Sequence, residues 1–200
     1  MSKERTFVIL KPDTIQRSLV GEMISRFERA GLKIVGMKLL SLKQVPEEKL
    51  WEHYDKNDEW FTKKGEGFVK SLTDAGQEIT KEPIEYGKDI IRALVKYMQA
   101  GPVVMLVLQG NQAVAVTKKL VGETEPATSD VGTIRGDFTL DSFSLANVDD
   151  RAVRNLVHCS DNLGDASREV ALWFGSDELV DYRLILEQML YDVNLDGLLE

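Results

Sequence analysis

The order of hydrophobic patterns along the chain constrains its fold more than any other feature. A β-α-β pattern opens the sequence, helical segments follow it, and a second β-α-β pattern comes after them. Two such units fit an α/β fold of the α+β kind, a ferredoxin-like βαββαβ arrangement in which helices cover an antiparallel sheet. The predicted strands span 6–10, 34–42, 103–108, 138–140 and 156–159, and the predicted helices span 19–30, 88–100, 112–121, 165–174 and 182–191, with a further helix beginning at 46.

The length of the chain predicts a single domain. Its 200 residues are enough to bury a core of their own. We predict one domain over 1–200, with two inserted segments at about 58–88 and 141–150 that decorate the βαββαβ core; the first has no strong apolar period. Segment 122–137 is glycine-containing and polar and predicts a long loop, a feature that is often functional.

Composition limits which binding partners and which cellular compartment are expected. The net charge of −8 argues against nucleic acid or an anionic membrane as a partner. The longest apolar run, 103–108, is too short to cross a bilayer, and the first seven residues lack the apolar stretch of a secretory signal. The single cysteine, Cys159, excludes an intrachain disulfide and suits a reducing compartment. We therefore expect a cytoplasmic protein.

Several enzyme classes lack their motifs in this sequence. His53 and His158 are the only histidines, and no HExxH or paired CxxC pattern occurs, so a zinc site is not expected. The glycine-rich phosphate loops GxxxxGK[ST] and GxGxxG are also absent. His158 and Cys159 are neighbours on a predicted strand, where side chains alternate between faces, so they are not expected to form a catalytic dyad. Cys159 is expected to be structural.

A set of donors at the ends of elements predicts a site for phosphoryl transfer. Taken singly, a surface lysine is usually solvated, and a lone histidine on an apolar strand is usually a core residue. Together, cations and neutral donors that converge on one imidazole suit a transferring phosphoryl group, whose charge lies on its equatorial oxygens. The donors are Lys11, Lys118, Thr124, Arg135 and Asn155, and the imidazole is that of His158.

Four segments of the sequence resemble the nucleoside diphosphate kinase family, and they occur in the family's order. They are 4–13 (ERTFVILKPD), 122–127 (GETEPA), 132–138 (GTIRGDF) and 154–161 (RNLVHCSD). The resemblance covers Arg5 to about Tyr182, apart from the two inserted segments. It implies a ferredoxin-like fold and nucleotide binding with Mg²⁺. It also implies ping-pong transfer of the γ-phosphate of ATP to a nucleoside diphosphate through a phosphohistidine, which maintains (d)NTP pools.

The resemblance implies roles for individual residues as well. His158 matches the nucleophile, and Glu169 matches the acid that orients its imidazole. Pro126 matches a loop position used in subunit contacts, so a homo-oligomer is implied, a hexamer as in the family. No protein ligand to the metal is implied, because Mg²⁺ is expected through the nucleotide phosphates. The implied nucleotide-binding positions are Lys11, Tyr54, Ile90, Lys118, Thr124, Arg135 and Asn155.

Three positions depart from the family's pattern. Lys118 stands where the family commonly has arginine, which keeps the charge but loses a two-pronged donor. Cys159 stands where the family usually has glycine. Ile90 stands where an aromatic ring stacks on the base, so either Ile90 offers apolar contact alone, or Trp60 or Phe61 supplies the ring. Because neither contact reads a hydrogen-bond pattern, broad base tolerance is expected.

Two other functions stay open at the level of sequence. A ferredoxin-like sheet also serves non-enzymatic modules that bind RNA or a small effector. Segment Gly136–Phe138 lacks the Lys/Arg-Gly-Phe stretch with stacking aromatics of an RNA-binding motif, and the acidic charge also argues against RNA. The second alternative is a relay protein that accepts phosphate on histidine and does not return it to a nucleotide. Transfer of labelled phosphate to a second nucleotide separates all three functions.

Overall fold

The chain forms two compact units. A computed structural model describes residues 3–54, 56–74 and 76–192. Within these residues, the first unit consists of 3–40, 103–140 and 155–192, and the second consists of 41–54, 56–74, 76–102 and 141–154. Both predicted inserted segments lie in the second unit. The prediction of one domain over 1–200 stays a prediction.

One four-stranded sheet organises the first unit. Its strands are β1 Glu4–Leu10, β2 Lys33–Ser41, β3 Pro102–Gly110 and β4 Val157–Cys159. Their order across the sheet is β2-β3-β1-β4, and β1 pairs antiparallel with both β3 and β4. β1 takes a central place because its last five residues, Thr6 and the apolar run 7–10, are all buried, as suits a strand covered on both faces.

Helices account for most of the remaining described residues. The α-helices are α1 Pro12–Gln16, α2 Val20–Arg29, α3 Glu47–Tyr54, α4 Asp58–Asp74, α5 Pro83–Gln99, α6 Ala113–Val121, α7 Ile134–Phe138, α8 Phe143–Val148, α9 Leu163–Trp173 and α10 Ile185–Glu187. Helices α3, α4, α5 and α8 belong to the second unit and the others to the first. The fold class, an α+β ferredoxin-like arrangement, is confirmed. None of these helices within 3–54, 56–74 and 76–192 is long and apolar enough to span a membrane.

The register of β1 against β4 assigns residues to the two faces of the sheet. Val8 pairs with Cys159 on the face that packs, with Met23 and Phe27 of α2, into the main hydrophobic core. Ile9 pairs with His158, so His158 points to the opposite face. Phe174, at the end of α9, lies against that opposite face, with its ring 6.3 Å from the ring of Phe7.

The segment 58–88, for which the sequence predicted no element, contains a regular helix, α4, that packs along α5. Glycines at the crossing weaken the helical pattern in the sequence. A Cβ at Gly65 would lie 1.6 Å from the carbonyl oxygen of Pro83, and a Cβ at Gly87 would lie 2.0 Å from that of Phe61. Only glycine permits this approach of the two backbones. Close packing against α5 therefore stabilises α4, although its sequence lacks a strong apolar period.

Three other boundaries also differ from the predictions. The predicted loop 122–137 contains a 3₁₀ turn at Pro126–Thr128 and most of α7, whose first turn is capped by the Thr133 hydroxyl accepting from the Gly136 N–H. Residues 138–140 form no strand, because Phe138 ends α7 and its ring lies 4.8 Å from the Arg26 guanidinium. The helix predicted over 182–191 begins only at Ile185.

Candidate active site

His158 lies in the middle of β4, on the face of the sheet against which α9 packs. Its Nε2 is 2.9 Å from Oε1 of Glu169, which α9 supplies. Glu169 is 3% exposed, whereas the side chain of His158 is 23% exposed. A buried carboxylate therefore fixes the orientation of an imidazole that reaches solvent.

Ser160 holds the second oxygen of the same carboxylate. Its Oγ donates a 2.6 Å hydrogen bond to Oε2 of Glu169 and accepts a 3.2 Å hydrogen bond from the N–H of Phe7 in β1. Ser160 is fully buried. Sequence reasoning missed this residue, although its position two residues after His158 in extended backbone is a signal, because alternation places both side chains on one face.

Lys11, Asn155 and Thr124 form a row of hydrogen bonds next to the start of β4. Nζ of Lys11 donates to Oδ1 of Asn155 at 2.6 Å, and Nδ2 of Asn155 donates to the carbonyl oxygen of Thr124 at 2.7 Å. Lys11 and Asn155 are buried, and Thr124 is exposed. The structure thus brings together three of the predicted binding residues, with Asn155 three positions before His158.

Arg135 connects the same segment to α7 and to the end of α6. Its Nε donates to the carbonyl oxygen of Asn155 at 3.1 Å, and one terminal nitrogen donates to that of Val157 at 2.6 Å. The other terminal nitrogen donates to the carbonyl oxygen of Gly122 at 2.9 Å. Gly122 has a φ of +86°, and a Cβ there would lie 2.6 Å from the hydroxyl of Thr133, so the turn that carries this carbonyl requires glycine.

Burial changes the protonation of this cluster. Burial, together with the nearby charge of Arg135, lowers the pKa of Lys11 to about 8. Burial also lowers the pKa of Arg135, which still carries its charge at neutral pH. Burial raises the pKa of the Cys159 thiol to about 11, so this cysteine is neutral at pH 7, as expected of a structural residue.

Lys118 pairs with an acid that follows His158. Its Nζ lies 3.1 Å from Oδ1 of Asp161, and both side chains are substantially exposed. An exposed ion pair of this kind contributes little to stability, so Lys118 can exchange Asp161 for another anion at small cost.

The remaining predicted residues lie elsewhere in the chain. Tyr54 is the last residue of α3, and Ile90 is half-buried in α5, both within the second unit. Trp60 is half-buried on α4, whereas Phe61 is buried, with its ring 6.2 Å from that of Trp51. Pro126 is buried at the start of its 3₁₀ turn in the first unit.

The arrangement in the first unit supports nucleophilic chemistry on an anion. An oriented imidazole on β4 follows directly after a segment to which two buried cations, Lys11 and Arg135, and the amide of Asn155 are bonded. Cations near an attacking imidazole stabilise the charge that develops on a transferring phosphoryl group.

Comparison with known proteins identifies the relatives of the chain. The sequence profile of a family described as nucleoside diphosphate kinase matches residues 4–75 and 83–179. A nucleoside diphosphate kinase from Pyrobaculum aerophilum is 46% identical over 186 residues, which cover 90% of this chain and 100% of that protein. The crystal structure of an NDP kinase from the same organism superposes with a TM-score of 0.83 at 43% identity, covering 90% of this chain and 100% of the other.

A second solved structure carries ligands. It is described as a transition-state mimic of nucleoside-diphosphate kinase from Borrelia burgdorferi with bound vanadate and ADP. It superposes with a TM-score of 0.74 at 32% identity and covers 94% of this chain and 96% of the other.

These matches define an enzyme class, the phosphotransferases of nucleotide metabolism. The chain belongs to the nucleoside diphosphate kinase family. The family that four sequence segments indicated is therefore confirmed, and so is the prediction that the protein is an enzyme acting on nucleotides.

Proposed function

We propose that the enzyme works by a ping-pong mechanism through a phosphohistidine at His158. The observation that carries the proposal is the 2.9 Å contact between Nε2 of His158 and the buried carboxylate of Glu169. A carboxylate accepts a hydrogen bond from N–H, which assigns the proton of the neutral ring to Nε2. Nδ1 then carries the lone pair and is the nucleophile.

In each of the two half-reactions, one bond to phosphorus forms and one breaks. In the first, the Nδ1 lone pair forms a bond to Pγ of the nucleoside triphosphate, and the bond from Pγ to the β,γ-bridging oxygen breaks, leaving its electron pair on the diphosphate. In the second, a terminal phosphate oxygen of another nucleoside diphosphate attacks that phosphorus, and the N–P bond breaks to restore the imidazole. Glu169 stabilises the positive charge that the ring gains on attack, and Ser160 keeps the carboxylate in place.

The cations and amides around the segment 155–157 are proposed to bind the phosphates and sugar. Arg135 has five N–H donors, and bonding to three carbonyl oxygens still leaves it donors for a phosphate. Lys11 and Asn155 present a charged amine and an amide beside it. We include Thr124 and Lys118 in the same site, with Lys118 exchanging Asp161 for a phosphate oxygen.

Mg²⁺ is proposed to arrive with the nucleotide, held by its phosphates. Glu169 and Asp13 are poorly suited to hold the ion directly, because both carboxylate oxygens of each already accept hydrogen bonds. When bound, the ion neutralises phosphate charge and orients the leaving diphosphate. Lys11 and Arg135 hold the phosphates that carry the ion.

Tyr54 and Ile90 are proposed to contact the sugar and base. Trp60 is the better candidate than Phe61 for a stacking ring, because Phe61 is buried and Trp60 is half-buried. We expect broad base tolerance. Ile90→Ala and Trp60→Ala, compared for ADP affinity at matched thermal stability, test the two candidates: loss on Ile90→Ala alone assigns apolar contact, and loss on Trp60→Ala assigns stacking.

The compartment, the assembly and the metabolic role of the enzyme are part of the same proposal. We infer a cytoplasmic homo-oligomer, a hexamer, that maintains nucleoside triphosphate pools without nucleic-acid or membrane partners. The relative from Borrelia burgdorferi supports the chemistry, because its structure is described as a transition-state mimic with vanadate and ADP.

One pulse and chase tests the mechanism. The enzyme is incubated with γ-labelled ATP and Mg²⁺, isolated, and chased with a different nucleoside diphosphate. We expect label on the protein that is labile in acid, stable in base and released only to the added nucleotide. His158→Gln should carry no label, whereas Arg29→Gln, at an exposed residue that ends α2, serves as a surface control. Label in His158→Gln, or label that survives acid, would refute the nucleophile, and label that never reaches the nucleotide would indicate a relay protein.

A further inference from the structure

The backbone at Leu156, two residues before His158, adopts a conformation that its side chain disfavours. Leu156 has a φ of +64°, in the left-handed region that leucine rarely enters. The N–H of Val157 donates to the carbonyl oxygen of Asn155 at 2.7 Å, which closes a tight three-residue turn around Leu156. The Leu156 side chain is fully buried in the main core, so a glycine would lose that packing.

Both polar groups of the Leu156 backbone are bound by one short segment, Lys11–Thr14. The Leu156 N–H donates to Oδ2 of Asp13 at 3.1 Å. Its carbonyl oxygen accepts from the Thr14 hydroxyl at 2.6 Å and from the Lys11 N–H at 2.7 Å. Asp13 and Thr14 are both buried, so these hydrogen bonds are shielded from water.

The residues on either side of Leu156 are those of the candidate site. Asn155 bonds to Nζ of Lys11 and to Thr124, and His158 follows one residue after Val157. Strand β4 has only three residues, so its ladder with β1 gives the position of His158 little support of its own. A fixed turn at Leu156 supplies that support from the other end.

We propose that Asp13 and Thr14 are positioning residues for the phosphotransfer reaction: they hold Leu156 in its left-handed turn and thereby fix Asn155 and His158 relative to Lys11. Neither side chain needs to touch the nucleotide for this role. The inference rests on the proposed role of His158. A small displacement of a reacting group lowers the rate strongly, because the reacting atoms must lie in line at close range.

Thr14 offers a clean test, because valine keeps its shape and removes only the hydroxyl. We expect Thr14→Val to lower kcat about tenfold at a temperature where the protein is fully folded. Hydrogen exchange in a peptide covering 155–158 should accelerate about tenfold, because the turn opens more often. Thr14→Ser keeps the hydroxyl and should return both quantities to within about twofold of the parent.

Thr6→Val is the matched control. Thr6 lies in β1, is fully buried, and within the described part of the chain its hydroxyl has no hydrogen-bond partner. The same atoms are removed from the same unit, but no bond is lost, so kcat and exchange at 155–158 should be unchanged. If Thr14→Val fails to fold, Asp13→Asn carries the test, since its single amide oxygen cannot accept from both the Leu156 N–H and the Thr14 N–H, and the variant should give the same two effects.

Three results would overturn the proposal: a kcat for Thr14→Val within about twofold of the parent, no recovery in Thr14→Ser, or an equal loss in Thr6→Val. Asp13→Asn with parental kcat and exchange would overturn it as well. Failure of the proposed function is seen separately, as label retained in His158→Gln. Hydrogen exchange at 155–158 does not depend on which residue is phosphorylated, so the two failures are distinguishable.

Discussion

At the scale of single residues, the Glu169 carboxylate orients the His158 ring, and the Ser160 hydroxyl in turn orients that carboxylate. Each link is a hydrogen bond to a buried group, where a missing partner costs more than in water. The cations are arranged by a different principle. Lys11 and Arg135 are buried near each other, and the lowered pKa of Lys11 records what that burial costs its charged form.

Glu169→Gln should lower kcat about a hundredfold or more while leaving the fold intact. The amide can donate to Nε2 of His158, which moves the ring proton to Nδ1 and removes the attacking lone pair. Single-turnover formation of acid-labile phosphoprotein measures this step directly. Asp165→Asn, on the same helix and half-buried, is the matched control and should keep the parental rate. A Glu169→Gln enzyme as fast as that control would contradict the role of the carboxylate.

Lys11 should make activity and stability change in opposite directions at alkaline pH. Its pKa is about 8 when folded, against an ordinary value of 10.5. Between these values the unfolded chain holds a proton that the folded chain has lost, so the free energy of unfolding gains about 3 kcal/mol as pH rises through this window. Phosphate binding weakens over the same window, because the amine loses its charge.

Urea unfolding and nucleotide KM, measured from about pH 7 to pH 10 for the parent and Lys11→Met, check both effects. The difference in unfolding free energy between the two proteins isolates Lys11 from the Cys159 thiol, which titrates in the same range. A difference that stays flat above pH 8 would show that Lys11 is not buried as a charged group.

At the scale of elements, close packing and not propensity decides where the second unit is helical. α4 contains two glycines, Gly65 and Gly67, and both lower helix propensity. Gly65 lies against the backbone of Pro83 at the start of α5, whereas Gly67 faces open space. The two glycines therefore have opposite consequences for stability.

Gly65→Ala should destabilise the protein by about 1 to 3 kcal/mol, because the new methyl group would overlap the Pro83 carbonyl and push α4 from α5. Gly67→Ala should stabilise it by about 0.5 to 1 kcal/mol, because alanine restricts the unfolded chain and meets nothing. Urea unfolding of the two variants gives both signs. Equal effects of the two substitutions would contradict the close approach at Gly65.

At the scale of the whole molecule, an acidic chain concentrates cations where its substrate would bind. The net charge is −8, yet three cations contact residues that lie close to His158 in the sequence. Lys11 and Arg135 bond to residues 155 and 157, just before His158, and Lys118 bonds to Asp161, just after it. Such a distribution favours a small polyanion that enters the site and disfavours an extended one that must cover the surface.

The proposed hexamer gives the prediction for this scale. Val131 and Leu140 are each 94% exposed and flank α7, which follows the Pro126 turn. We expect light scattering at micromolar protein to give six times the 22.5 kDa chain mass. Val131→Asp should shift the protein to smaller species with unchanged helix content, because a carboxylate in an apolar contact is costly to desolvate. A monomer mass for the parent would refute the oligomer.

Local sequence patterns were enough to predict most elements of the first unit and to select the residues of the candidate site. The apolar run ending at Leu10, the helical period closed by Gly31 and the motif around His158 are all local patterns, because side-chain periodicity and backbone sterics act over a few residues. Those patterns were sufficient for the fold class and for the family.

Which atoms meet depends on how distant segments pack. Asp13 and Leu156 are 143 positions apart, and Lys11 and Asn155 are 144 apart, so their hydrogen bonds exist only after the sheet has brought β1 and β4 together. The same holds for Ser160 beside Glu169, for Gly65 of α4 against the start of α5, and for a leucine at φ +64°. Each depends on contacts between distant segments that outweigh local preference, which no local pattern records.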